Sequence, residues 1–298
     1  MRLAALLVCV ASTWGADRKV AITIDDLPRG GDGGGISLAA VREMTARLLQ
    51  PFRERKIPVI GFVNEGRAPK IARTIYEMWL DAGAELGNHT FSHPDFNTTP
   101  LARFEADIVK GEGLLRPMLE ARGKKIEFFR HPFLHAGKTL ADKRGLEEFL
   151  KSHGYRVAPV TLDNSDYMFA ALYTEPEFRE RVAREYVPYL ESVVEWFERR
   201  SVEVVGREFP QIMLLHASEL NSRKMPEIFA MFERRGYAFV SLKEALRDEA
   251  YSLPDDYAGP GGFSWIHRWA KTKGVPSRKE SPGEPDEPEW VRKAFHTR

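Results

Sequence analysis

The sequence predicts one α/β domain, a parallel sheet or barrel of about seven strands. Three observations carry that prediction. Short apolar runs rich in β-branched residues alternate with longer amphipathic stretches through most of the 298 residues, the pattern of buried parallel strands joined by helices. Gly83, Gly123, Gly154 and Gly236 each stand between an amphipathic stretch and the next apolar run, where helix C-caps belong. Polar residues gather at or just after the C-terminal ends of the apolar runs. In a parallel barrel those ends share one face, and the active site lies there.

The elements follow in order. The first run, 20–24, reads Val-Ala-Ile-Thr-Ile; it is continuous rather than alternating, as a strand covered on both faces must be. Further strands are expected at 58–63, 85–88, 127–130, 155–162, 211–216 and 238–242. Amphipathic helices are expected between them at 38–55, 69–82, 101–121, 141–153, 175–200 and 222–234. The 175–200 stretch is long enough to extend as a wall of the cleft. From about residue 251 the chain changes character. Residues 259–262 (Gly-Pro-Gly-Gly) form a loop, and 265–269 are aromatic and basic. Residues 277–288 are rich in Pro, Glu, Ser and Gly and are expected to be extended or disordered. Residues 290–295 are expected to form a short docking turn. There is no internal repeat, and no second domain of sufficient size.

The N-terminus resembles an export signal. Arg2 supplies a positive charge, 3–11 are apolar, and small residues near Gly15 and Ala16 offer a cleavage site. That apolar stretch is far too short to span a bilayer. Cys9, the only cysteine, lies within it, so the mature chain has neither disulfide nor thiolate ligand, which suits an exported enzyme with a large core. Lipid attachment at Cys9 is not expected, because bulky Val8 precedes it. The chain thus divides into a signal peptide (1–16), a catalytic domain (17–250) and a C-terminal extension (251–298), with a periplasmic or extracellular destination. A net charge of +1 gives no reason to expect nucleic acid or an anionic membrane as partner.

Two adjacent carboxylates, Asp25 and Asp26, follow the first strand, and His89 and His93 stand four apart after the third. One aspartate and two imidazoles make three protein ligands for a divalent metal and leave a position for water, the arrangement of a catalytic zinc-type site. The second aspartate can then accept a proton from that water. Taken singly, each feature has a plainer reading: an Asp-Asp pair caps turns, His216 after an apolar strand is an interior histidine, and Arg130 is an ion-pair partner. His131, His135, His153, His267 and His296 lack a matching ligand set, although His135 is near enough in sequence to line the site. Trp79, Trp196, Trp265 and Trp269 read as packing residues before they read as sugar platforms.

The residues also carry a resemblance. Thr23-Ile24-Asp25-Asp26-Leu27-Pro28, His89-Thr90-Phe91-Ser92-His93, Arg130-His131-Pro132-Phe133, Asp163-Asn164-Ser165-Asp166-Tyr167 and Leu214-Leu215-His216 resemble, in order, the five motifs of the polysaccharide deacetylase family (carbohydrate esterase family 4, the NodB-like domain). The resemblance covers residues 20 to 242. It implies a distorted (β/α) barrel and metal-dependent removal of acetyl groups from a glycan. On it, Asp26, His89 and His93 would hold one divalent metal, usually zinc, with Co2+, Ni2+ or Mn2+ as alternatives. Asp25 would be the general base and Arg130 its partner. His216 would be the general acid, paired with Asp163. The implied substrate is an acetylated glycan or small acetylated saccharide. N-deacetylation of a GlcNAc-containing polymer or oligomer comes first and O-deacetylation of acetylxylan second. A non-glycan amide hydrolase and a silent glycan-binding module are the competing readings. Leu27 and Tyr167 depart from the family's common glycine and tryptophan, which leaves the shape of the cleft open.

Overall fold

The computed structural model describes residues 18–276 and 283–298. The expected signal peptide and the first half of the 277–288 stretch lie outside the described residues. Among the described residues, seven parallel strands form one curled sheet: β1 (Arg18–Leu27), β2 (Val59–Val63), β3 (Glu85–Asn88), β4 (Phe128–Phe129), β5 (Arg156–Val157), β6 (Gln211–His216) and β7 (Tyr237–Phe239). Their order is β5-β4-β3-β2-β1-β6, and β7 pairs with the first three residues of β1. After β5 the chain crosses to β6, where Leu162 bridges Met213 in parallel. The sheet therefore curls back on itself as a distorted half-barrel.

Eleven helices surround it among the described residues: α1 (Leu38–Arg55), α2 (Pro69–Asp81), α3 (Leu101–Lys110), α4 (Glu112–Glu120), α5 (Leu140–Ser152), α6 (Asp166–Tyr173), α7 (Pro176–Val205), α8 (Glu219–Arg234), α9 (Leu242–Ala245), α10 (Trp265–Thr272) and α11 (Glu289–His296). Side chains alternate across the sheet, and two apolar clusters result. Val20, Ile22 and Ile24 join the helices' apolar stripes, such as Val41, Met44, Leu48 and Phe52 of α1. Ala21 joins Ile60, Phe62, Phe128 and Ile212 inside the curl. Burying such side chains contributes roughly 1.5–3 kcal/mol each, and this holds the strand ends at fixed separations around the cleft. The four expected cap glycines all have positive φ, from +66° at Gly123 to +81° at Gly83.

The sequence-based boundaries need several corrections. β1 runs to Leu27, so Asp25 and Asp26 lie within it rather than after it. The expected 101–121 helix breaks at Gly111. A side chain there would press on Asn88 and on the backbone after His89, so the helix pair yields where it passes the site. The expected 155–162 strand is two residues of β5 plus the bridge at Leu162. α7 continues past Arg200 to Val205. The helix α6 has no counterpart in the periodicity, because it is apolar on nearly all sides. The 290–295 turn is part of α11, which docks through the fully buried Val291.

Candidate active site

Asp25 and Asp26 are adjacent in a strand, where neighbours point to opposite faces. A bulge overrides that rule. Ile24 pairs with Gly61 and Leu27 with Val63, so three steps along β1 match two along β2. Asp26 takes a left-handed conformation, φ +67°, which aspartate tolerates better than most residues. Both carboxylates thereby reach the same cavity. His89 leaves the end of β3, with its N–H on Val63 O at 3.2 Å. His93 sits on the loop beyond. That loop is held by Asp107, which accepts from the N–H groups of Phe91 and Ser92, both at 2.9 Å.

The structure brings the expected ligand set together. One ligand atom each from Asp26, His89 and His93 lies within 4.8 Å of the others. His93 Nε2 is 3.5 Å and His89 Nε2 3.7 Å from Asp26 Oδ1. That oxygen is buried and has no hydrogen-bond partner among the described residues. His89 Nδ1 donates to Arg130 O at 2.8 Å, so its Nε2 presents a lone pair to the triad. A buried, unmatched carboxylate oxygen facing two imidazole nitrogens fits a divalent cation, which would neutralise a charge that burial penalises.

The electrostatics agree with that use. Burial lowers His89 well below the ordinary histidine range and lowers His93 too, which keeps both rings in the neutral, ligating form. Burial pushes Asp26 up, but His93, His216, His89 and Arg67 outweigh it and hold its carboxyl below the usual range. Arg67 Nη1 donates to Asp26 Oδ2 at 3.0 Å, a contact that no motif or spacing announces. Asp25 behaves differently. Burial pushes it up to about 6 against the pull of Arg130 and His216, so it is the better proton acceptor of the pair. Arg130, completely buried, places Nη1 3.5 Å from Asp25 Oδ2 and Nη2 2.9 Å from Thr23 Oγ1.

Asp25 and His216 are register partners on β1 and β6, so they flank the triad in one cavity. The expected Asp163–His216 pair is replaced by another. Asp166 Oδ1 lies 2.7 Å from His216 Nδ1, and Asp166 Oδ2 accepts the His216 backbone N–H at 2.7 Å. Asn221 Nδ2 adds a third bond to that carboxylate at 2.7 Å. The Asn164 side chain accepts the Asp166 N–H at 2.9 Å and turns the chain into α6, which sets Asp166 beneath His216. Asp163 lines the cavity instead, and its charge acts on Arg130. Burial opposes protonation of His216, but the Asp166 carboxylate outweighs it, with help from Asp26 and Asp25, and raises His216 to about 10.

A pH dependence follows from that pairing. Asp166→Asn keeps an acceptor for Nδ1–H but removes the charge that raises the His216 pKa. If catalysis needs the imidazolium, the alkaline limb of the kcat/KM profile moves to lower pH. An alkaline limb at the wild-type position would assign that proton to another group.

The cavity measures about 630 Å3. Phe133 stands at its rim, 54% exposed, with φ +56° and its ring 4.5 Å from that of His93. His135 lines the cavity and pairs through Nδ1 with Asp95 at 2.7 Å. His131 is buried and stacks on Trp265, which is itself buried, as is Trp269.

The comparisons with known proteins agree with this geometry. A family model described as polysaccharide deacetylase matches residues 15–158, a span that contains Asp25, Asp26, His89, His93 and Arg130. Over that span the chain is similar to the polysaccharide deacetylase family. No curated protein sequence matches it. Among solved structures it is similar to a polysaccharide deacetylase from Bacillus cereus, with 18% identity, 75% of this chain and 91% of that one covered, and a TM-score of 0.52. It is also similar to the chitin deacetylase of the fungal pathogen Colletotrichum lindemuthianum, with 20% identity, 81% and 91% coverage, and a TM-score of 0.51. A CE4 family pseudoenzyme from Bacillus anthracis matches at 19% identity, 78% and 66% coverage, and a TM-score of 0.50. At these identities the likeness is one of fold. Since the same fold is found in deacetylases and in a pseudoenzyme, function here must be argued from the site.

Proposed function

We propose that this protein is a metal-dependent hydrolase that removes N-acetyl groups from a GlcNAc-containing polymer or oligomer. The observation that supports it is the pairing within one cavity of a carboxylate base and an imidazole acid on either side of a three-ligand set. Asp26, His89 and His93 would hold the cation. When bound, a divalent metal polarises the acetyl carbonyl and lowers the pKa of water. Asp25, oriented by Arg130, takes the proton of the attacking water. A bond forms from that oxygen to the carbonyl carbon. His216, held in one tautomer by Asp166, gives its proton to the amide nitrogen as the C–N bond breaks. Acetate and a free amine leave. The set also explains why both groups are needed: an amide nitrogen is a poor leaving group until it is protonated. On the same reading, residues 1–16 direct export to where such glycans are found.

The test is acetate release from a panel of acetylated glycans and small amides, with the protein loaded with zinc or treated with chelator. The expected outcome is zinc-dependent release from N-acetylated glucosamine oligomers. Release from small amides alone would favour the non-glycan reading. Release from none of them, with zinc bound, would mark a glycan-binding module.

A further inference from the structure

The C-terminal extension reaches the cleft, although the matched family region ends at residue 158. Glu287 and Phe295 line the same cavity as the triad. The Ser165 hydroxyl donates to Glu287 Oε1. The Phe295 ring meets the ring of Tyr167 edge-on, with centroids 5.6 Å apart, and Tyr167 in turn lies 6.3 Å from the His216 ring. Tyr167 is 44% exposed. This wall therefore stands on the acid side of the site, beside the group that would meet the leaving nitrogen.

The wall is anchored independently of those two residues. Val291 is fully buried. Trp290 Nε1 donates to Glu185 Oε2 at 2.8 Å, with Arg181 over its ring at 4.1 Å. Arg298 reaches Glu175 at 3.1 Å. The extension is thus docked on α7 and its N-terminal end by contacts that changing Glu287 or Phe295 leaves in place.

We propose that Glu287 and Phe295 are specificity determinants that close one end of the cleft, so that the protein takes a short N-acetylated saccharide or the end of a chain rather than the interior of a long polymer. The proposal rests on the deacetylase reading for its substrate class. Three observations argue for it. The cavity, about 630 Å3, has the size of a small-ligand pocket, roughly 300–1,000 Å3. Its wall on the Tyr167 side comes from a segment that continues past the barrel. That wall combines aromatic rings with a carboxylate, the mixture that packs against a sugar's C–H face and accepts from its hydroxyls.

The test uses the full-length protein and the variants Phe295→Ala and Glu287→Ala. Calorimetric titration gives the affinity for N-acetylglucosamine oligomers of two and six units. Acetate release is measured on the same oligomers. The ratio of hexamer to dimer is read each time, so any general loss cancels. In the wild type, affinity should not rise with length. Phe295→Ala should raise the hexamer-to-dimer ratio by roughly tenfold, the low end of what one pocket contact discriminates. Glu287→Ala should weaken the dimer. Wild-type affinity that climbs with length, or a ratio unchanged in Phe295→Ala, would overturn the inference while leaving deacetylation standing. The expected binding ratios without acetate release from either oligomer would overturn deacetylation and leave the closed cleft standing.

Discussion

His89→Ala should lose its bound metal and its activity together. His89 is the ligand with the least freedom. Its ring is buried, its Nδ1 is engaged by Arg130 O, and its Nε2 faces Asp26 and Asp25 at 3.7 and 3.9 Å. Removing it leaves one imidazole and one carboxylate, too few for a tetrahedral site. Loss of an outer partner alone costs about 10–100-fold in metal affinity, so loss of a ligand costs more. Metal content after gel filtration should fall from about one per chain to below about a tenth, judged by that scale. Circular dichroism should be unchanged, because the fold rests on the two apolar clusters and not on this loop. Full metal occupancy in His89→Ala would place the cation elsewhere.

The second large effect separates base from ligand. Asp25→Asn should keep the metal, since the triad is Asp26, His89 and His93, but turnover should fall by ~100-fold or more, as loss of a positioned base requires. The side chain keeps its shape, so the loss reports on charge and basicity. A lower Tm is also expected. Arg130 is fully buried, with Asp25 3.5 Å from it and Asp163 also acting on its charge; removing one of the two carboxylates that balance a buried guanidinium is destabilising. The assay therefore belongs well below the new Tm. Near-normal turnover with metal bound would assign proton removal to another group.

Much of this site is legible in the order of the residues alone. The ligand types, their spacing and their place at the ends of apolar runs imply a metal and a base, because few other chemistries need a carboxylate pair and two histidines on one face. The strands are legible for a similar reason: continuous apolar runs bounded by glycine have few alternatives. The helix α6 is not, since a segment buried on nearly every side shows no amphipathic period. Nor is the break at Gly111, which depends on how closely the α3–α4 corner passes the His89 loop.

The sequence by itself determined the class of fold, the candidate ligands and the candidate acid and base. These depend on residue type and on order along the chain. The tertiary structure alone decided which oxygen meets which proton. Asp163 and Asp166 are both aspartates in one short run, and only the turn made by Asn164 sets Asp166, and not Asp163, on His216. Asp25 and Asp26 would diverge in a regular strand, and only the bulge against β2 brings them to one cavity. Glu287 and Phe295 lie more than a hundred residues from Ser165 and Tyr167, and only the docking of α11 makes them part of the same wall. In each case the deciding quantity is a side-chain direction, which follows from backbone geometry and long-range packing and leaves no periodic trace in the sequence.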